Sequence, residues 1–390
     1  MNSSSKPIAQ SHAQPSAPGR PALPLPAGLI YSTDSTPGLT RVRRGGGFAY
    51  RSCDGGWVRD ADVLARIRRL AIPPAYTRVW ISHLPNGHLQ ATGFDARGRK
   101  QYRYHPDWHS SRTADKFARL GAFGRALSRI RARVARDLRP RPSEHGVALT
   151  RDRVLATLVR LLDTTYVRIG NDEYARSNGS YGLTTLRNPH AKVRGSVLQL
   201  RFRGKSGVMH AVTVDDARVA EIVRRCQHLP GQELFQYEAS DASLHSVGSG
   251  DVNDYLCAAA GGERFTAKDF RTWHGTVQAL ELTRRACRGE VPDLTSGKQV
   301  LAEVARRLGN TPAVCRKSYI HPEVLNLGAA LGTDDETLRA LWPVLGESRH
   351  ATRGLQAAEW RLLRLLETTV RSKRPISARR SGSIVPGGAH

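Results

Sequence analysis

The sequence predicts an α+β protein: a small antiparallel sheet at the amino-terminal end, then a mainly helical body carrying one small β-hairpin. Three observations lead there. Arg78-Val79-Trp80-Ile81-Ser82 and His88 to Gly93 alternate in polarity around Pro85-Asn86-Gly87, an Asn-Gly hairpin signal. From Thr113 onward, Phe117, Leu120, Phe123, Leu127, Ile130, Val134 and Leu138 recur at three and four, the spacing of a helix with one buried face. A later strand-like run, Val197 to Arg203, ends in the tight turn Gly204-Lys205-Ser206-Gly207.

In chain order, residues 1–27 are rich in Ser, Pro, Ala and Gln without periodicity and are expected to be disordered. Residues 28–110 form the expected β-rich amino-terminal domain. Its strands include Tyr31-Ser32-Thr33 and Phe48 to Arg51, the second entered through Gly45-Gly46-Gly47. Asp60 to Leu70 is a helix with Val63, Leu64, Ile67 and Leu70 on one face. Residues 111–345 form the expected helical domain. There Val154 to Ile169 is a helix with Arg168 at its end, and Ser180 to Arg187 is a strand. After Val214 the chain is helical apart from a Ser-, Gly- and Asp-rich loop around Ser246 to Asp251. Thr266 caps a helix that places Lys268 and Arg271 on one face.

A helix then stops at Gly309, Thr311-Pro312 starts another, and Tyr319 follows one short helix later. Helices continue to about Leu345. Residues 346–390 form a basic carboxy-terminal helix and tail, apolar at Leu355, Trp360, Leu363, Leu366 and Val370. The tail ends in Arg371-Ser372-Lys373-Arg374 and Arg379-Arg380, which suit further phosphate contacts or disorder.

Composition narrows the partner. The 390 residues carry 60 Lys and Arg against 34 Asp and Glu, a net charge of +26 that calls for a polyanion. No apolar run approaches the roughly 20 residues of a membrane span, and the first residues lack the apolar core of a secretory signal. Five scattered cysteines without CxxC spacing point to a reducing cytoplasm and away from a zinc site. Only nine of the cations are Lys. Each therefore raises the question of what Arg cannot do there, and releasing a proton is the main answer.

Arg99-Lys100-Gln101-Tyr102-Arg103-Tyr104 interleaves cations, an amide and two phenols, a surface suited to phosphates and base edges, or else a charged edge strand. Five other positions fit one chemical task. Arg168, Arg271, Lys205, Asn310 and Tyr319 are the residue types that a metal-free phosphoryl transfer from DNA requires. The phenol attacks a phosphodiester, cations and neutral donors hold the non-bridging oxygens, and a separate acid protonates the departing oxygen. No carboxylate pair with metal-site spacing recurs near these motifs, and no GxxxxGK[ST] loop is present.

Over roughly residues 29–345 the chain resembles the type IB DNA topoisomerases of the bacterial, poxvirus-like branch. The resemblance is carried by Gly98 to Tyr104, Val167-Arg168-Ile169-Gly170-Asn171, Gly182-Leu183-Thr184-Thr185-Leu186, Gly204-Lys205, Asp269-Phe270-Arg271-Thr272, Gly309-Asn310-Thr311-Pro312 and Lys317-Ser318-Tyr319. It implies a helical catalytic domain of the tyrosine recombinase and topoisomerase IB type, closing as a clamp around DNA. It also implies Tyr319 as the nucleophile of a 3′-phosphotyrosyl intermediate, Arg168 and Arg271 as the phosphate-binding arginines, and Lys205 as the general acid. Lys100, Gln101, Tyr102, Tyr104, Tyr174 and Lys268 are the expected DNA contacts. Asn310 departs from the pattern, since many members carry His there; an amide still donates a hydrogen bond but brings no charge.

The resemblance leads to further expectations: double-stranded DNA as partner, no cofactor, no metal, no membrane, a monomer, and a cytoplasmic, nucleoid-associated location. A tyrosine recombinase would use the same core chemistry. Recombinases typically place His three residues before the second Arg, where this chain has Lys268, and the amino-terminal sheet also fits a topoisomerase better. A non-catalytic DNA-packaging protein would show charge without the constellation.

Overall fold

Leu39–Arg44 (β1) and Gly47–Arg51 (β2) pair across the Gly45-Gly46 turn and begin an antiparallel sheet completed by Thr77–Ile81 (β3), Leu89–Phe94 (β4) and Lys100–Tyr104 (β5). The strand order is β2-β1-β3-β4-β5. In this computed structural model the described residues are 25–96, 98–140, 142–143, 146–147, 149–239, 241, 243–346 and 354–372. They divide into two compact units, one ending at Asp115 and one beginning at Lys116. Most of the expected disordered segment 1–27, and the basic residues Lys373, Arg374, Arg379 and Arg380, lie outside the described residues.

In the first unit, helix Ala61–Arg69 (α1) starts where the Asp60 carboxylate accepts from the amides of Asp62 and Val63. It sets Ile67 against Leu39, Val79, Ile81 and Ala91, a core small enough that the unit also leans on polar ties. Arg66, for example, reaches the Gln90 amide oxygen at 2.7 Å and the Ser82 carbonyl at 2.6 Å. The expected hairpin around Asn86-Gly87 is present, with Trp80 opposite Thr92 and Ile81 opposite Ala91. The expected strand at Tyr31 to Thr33 is absent; one bridge from Ile30 to Gly87 is all that forms. The strand that does form, β1, was concealed by its arginines, which occupy partly and fully exposed positions and leave little alternation to read.

The second unit is mostly helical. Helix Pro106–Ala118 (α2) runs into it, and Leu120–Asp137 (α3) follows after a break at Arg119, so the periodic run from Thr113 is two helices. A two-residue hairpin, Pro142–Ser143 (β6) with Gly146–Val147 (β7), precedes Arg151–Thr165 (α4) and Asp172–Asn178 (α5). Strands Ala191–Arg194 (β8), Val197–Arg203 (β9) and Met209–Asp215 (β10) make a sheet in the order β10-β9-β8. Then come Ala217–His228 (α6), the hairpin Gln236–Glu238 (β11) and Leu244–Ser246 (β12), Ser249–Ala259 (α7), and the long Ala267–Cys287 (α8). Gly297–Leu308 (α9), Pro312–Ser318 (α10), Pro322–Ala330 (α11), Asp335–Leu345 (α12) and Ala357–Ser372 (α13) complete it.

The expected strand at Ser180 to Arg187 is instead a 3-10 turn at Leu183–Thr185 flanked by loops, and the hairpin β11–β12 occupies a stretch expected to be helical. Helix α8 is the centre of the unit. Trp273 and Phe270 on it pack with Phe123 of α3, and α9, α11 and α13 also lie against it. Helix α13 buries Leu362, Leu363, Leu365 and Leu366 in this core. It is fastened by Glu359, which receives hydrogen bonds from Arg131 at 2.7 and 2.8 Å and from the Trp273 indole at 3.1 Å. Arg131 in turn holds Asp163 of α4 through two bonds of 2.7 and 2.9 Å.

Candidate active site

Four of the predicted residues come together inside the second unit. Arg168 does not end a helix as expected. Helix α4 stops at Thr165, Tyr166 takes a left-handed conformation with φ 59°, and Arg168 lies in the extended segment that follows. That segment is held by the turn after it: the amides of Leu183 and Thr184 donate to the carbonyls of Arg168 and Ile169 at 2.9 and 2.6 Å. The approach requires glycine, since a Cβ on Gly182 would lie 2.5 Å from the Gly170 nitrogen and 2.7 Å from the Arg168 carbonyl oxygen. So positioned, the Arg168 guanidinium donates to Oδ1 of Asn310 at 2.6 Å.

Arg271 comes from α8 and is only 4 % exposed. Lys268, three residues earlier on the first turn of the same helix, is exposed, whereas Arg271 is buried. The Arg271 guanidinium bonds the carbonyl of Leu308 at 2.6 Å and that of Tyr166, while its Nε has no hydrogen-bond partner among the described residues. Neither Arg168 nor Arg271 has a carboxylate partner there. Burial, and then the repulsion of Arg168, push the Arg271 guanidinium below its usual range. Two guanidiniums held close together, one of them buried, on carbonyl and amide oxygens suit the binding of an anion.

Asn310 lies beyond α9, which ends with Gly309 left-handed at φ 58°. Its amide nitrogen is 3.3 Å from the Leu308 carbonyl that Arg271 also uses, leaving one N–H free to donate. Thr311 then caps α10 by accepting from the Val314 amide, and Tyr319 closes that helix. The backbone of Tyr319 docks on α8: Thr276 donates to its carbonyl at 3.2 Å, and a Cβ on Gly275 would lie 2.7 Å from the same oxygen. The half-buried phenol ring has the Arg271 guanidinium carbon 5.1 Å from its centroid.

A second cation, missed by the sequence reading, touches the same ring. Lys116 of α2 places its Nζ 5.5 Å from the Tyr319 centroid and donates to the Ser318 carbonyl. Burial brings the Lys116 ammonium down to about 8, opposed by Asp269 and assisted by Lys268. Its only signal in the sequence was to be one of nine Lys among 60 cations. Arg316 and Lys317, the sequence neighbours of Tyr319, are exposed.

Lys205 stands apart from the four. It is exposed on the 3-10 turn that joins β9 to β10. Tyr174, 42 % exposed, projects from α5. On the first unit, Tyr102 and Tyr104 stack on the edge strand β5 with centroids 6.1 Å apart, and Tyr102 is 49 % exposed. Lys100 and Gln101 are tied down by carboxylates, Lys100 by Asp34 at 2.5 Å and Gln101 by Asp95 at 3.1 Å. Tyr102 is the more open of the two tyrosines, and Tyr104 is partly buried. No helix among the described residues is long and apolar enough to cross a membrane.

The sequence model of the eukaryotic DNA topoisomerase I catalytic core matches residues 105–331, and that of the bacterial DNA topoisomerase IB N-terminal domain matches residues 47–95. The chain is 32% identical over 299 residues to the DNA topoisomerase 1B of Acanthamoeba polyphaga mimivirus, covering 74% of this chain and 87% of that protein. It is 21% identical over 258 residues to the DNA topoisomerase I of monkeypox virus and to the DNA topoisomerase 1B of vaccinia virus, covering 65% of this chain and 76% of each relative. None of these matches favours the recombinase alternative. With one catalytic-core match running from α2 to α11, a separate match over β2 to β4 of the first unit's sheet, and a relative 32% identical over 74% of the chain, the chain belongs to the type IB DNA topoisomerases.

Proposed function

We propose that the protein acts as a monomer on double-stranded DNA, its two units closing on the duplex as a clamp, and relaxes supercoils by nicking and resealing one strand with Tyr319 as nucleophile. The observation that carries this reading is the cluster of Arg168, Arg271 and Asn310 beside the Tyr319 ring, rich in donors and free of carboxylates among the described residues. In the forward step the Tyr319 oxygen bonds to phosphorus and the bond from phosphorus to the 5′ oxygen breaks. The electron pair leaves with that oxygen, which takes a proton from the Lys205 ammonium, while the phenol proton passes to water. The DNA 3′ end is then held as a phosphotyrosyl ester. Religation runs the same steps backwards, so the bond energy is kept in the ester and no nucleotide is consumed. Arg168, Arg271 and the free N–H of Asn310 hold the two non-bridging oxygens as charge builds on them. Tyr102, Tyr104, Tyr174, Lys268, Lys100 and Gln101 contribute to grip on the duplex, the two cations mainly through phosphates.

The test is relaxation of positively and negatively supercoiled plasmid in excess EDTA without ATP, with denaturing-gel detection of the covalent adduct. Wild-type protein is expected to relax both and to form the adduct. Tyr319→Phe is expected to bind DNA but do neither. Plasmid that stays supercoiled with the wild type overturns the reading, and an adduct surviving in Tyr319→Phe moves the nucleophile elsewhere.

A further inference from the structure

Lys205 is exposed on a turn, while Arg168, Arg271, Asn310 and Tyr319 form a connected group. An acid that must meet a departing oxygen beside that group needs its turn held at a fixed distance from it. One side chain spans the gap. His210, on β10, stacks its imidazole on Phe202 of β9 with centroids 5.1 Å apart and planes at 15°. The ring's edge then enters a space left by two glycines. A Cβ on Gly204 would lie 2.5 Å from the imidazole Cδ2 and 2.6 Å from Nε2, and a Cβ on Gly309 would lie 3.3 Å from Cε1. Gly204 is the residue before Lys205, and Gly309 is the residue before Asn310.

The turn itself is rigid enough to transmit this contact. The Gly204 amide donates to the Val208 carbonyl at 2.7 Å, the Gly207 amide donates to the Gly204 carbonyl at 3.1 Å, and Ser206 is left-handed at φ 62°. Phe202 is buried, so the imidazole has a fixed backing. The ring is also within electrostatic reach of both arginines. Burial first, then Arg168 and Arg271, press its pKa below the ordinary imidazole value.

We propose that His210 is the positioning residue for the general acid: its imidazole is the spacer between the Gly204-Lys205 turn and the Gly309-Asn310 turn, fixing where Lys205 stands relative to the phosphate-binding group. This deepens the proposed function and rests on it, because Lys205 must be the acid for its position to matter. No direct contact of His210 with DNA is invoked.

The experiment compares single-turnover cleavage of an ordinary duplex with cleavage of the same duplex carrying a 5′-bridging phosphorothiolate, whose thiolate leaves without a proton. General acid catalysis is worth about 10²- to 10⁴-fold, so His210→Ala is expected to slow the ordinary duplex by about tenfold to a hundredfold, with near wild-type cleavage of the phosphorothiolate. Gly204→Ala, whose new methyl collides with the ring, is expected to show the same pattern. The double variant Gly204→Ala, His210→Ala is expected to be no slower than the single variants, since the methyl enters the space the imidazole leaves. His210→Gln, which keeps the reach of the side chain, is expected to recover part of the rate.

Equal slowing on both substrates would mean the whole site has been disturbed, and no slowing would mean the spacer is unnecessary; either result overturns the proposal. Lys205→Ala is the control. If its defect is not rescued by the phosphorothiolate while wild type forms the adduct, the acid assignment fails and this proposal with it. If wild type forms no adduct, it is the proposed function that fails.

Discussion

Arg168 donates to Oδ1 of Asn310 across 2.6 Å, and the same amide's nitrogen faces the Leu308 carbonyl that also accepts from Arg271. Asn310 is thus the join between the two arginines as well as a candidate donor. Removing it takes away the oxygen to which Arg168 donates and, in the proposed reaction, one donor to the phosphate.

Asn310→Ala is therefore expected to slow single-turnover cleavage by about 10²-fold, the scale seen when one transition-state donor is lost. Asn310→His is expected to stay within about tenfold of wild type, because a neutral imidazole also offers one acceptor and one donor. Full activity in Asn310→Ala would remove the residue from the site. Complete loss in Asn310→His would mean that the arginines are set by the amide's own geometry.

The elements legible in the sequence were those with local punctuation. Asn86-Gly87 announced β3 and β4, and Gly309 followed by Thr311-Pro312 announced the α9–α10 junction that carries Asn310 and Tyr319. Where punctuation misled, tertiary contacts had decided. Helix α4 ends at a left-handed Tyr166, a residue with no intrinsic preference for that conformation, and Gly170 instead serves the close approach to Gly182. Ser180 to Arg187 looked like a strand, but its turn exists to hold the Arg168 backbone. Lys116 and His210 were illegible for one reason. Each matters through a neighbour distant in sequence, Ser318 or Gly309, and no local pattern encodes that proximity.

Arg271→Lys tests whether geometry or charge is required. The guanidinium spans the carbonyls of Tyr166 and Leu308, and a lysine ammonium, a point charge on a flexible stem, cannot reproduce that fork. The expected outcome is cleavage slowed by about 10²-fold with duplex binding nearly unchanged. Measured binding and single-turnover rates separate the two; a rate equal to wild type would reduce Arg271 to a charge.

Glu359 gives a stability prediction away from the chemistry. It is 2 % exposed, and it ties Arg131, Trp273 and the Gln356 amide together at the start of α13. Glu359→Ala strips one partner from a buried ion network, a change worth about 3–5 kcal/mol. Thermal unfolding of the helical unit is expected to shift down accordingly, whereas the first unit's transition stays put. An unmoved transition would mean that the leucine face of α13 suffices to hold it.

Lys116 carries the pH prediction. Burial has lowered its ammonium from 10.5 to about 8, so between those values the unfolded chain binds a proton that the folded chain has released. Stability measured against Lys116→Met should therefore rise with pH across that window and be flat below it. The same titration removes a cation from beside the Tyr319 ring, where, in the proposed reaction, charge develops as the phenol attacks. Asp269 opposes the loss and Lys268 favours it, and the Arg271 guanidinium also lies against the ring. The wild-type cleavage rate, divided by that of Lys116→Arg to cancel the common effect of pH on the reaction, is expected to fall as pH passes about 8. A ratio constant from neutral to alkaline pH would show that Lys116 holds the Ser318 carbonyl and does nothing for the phenol.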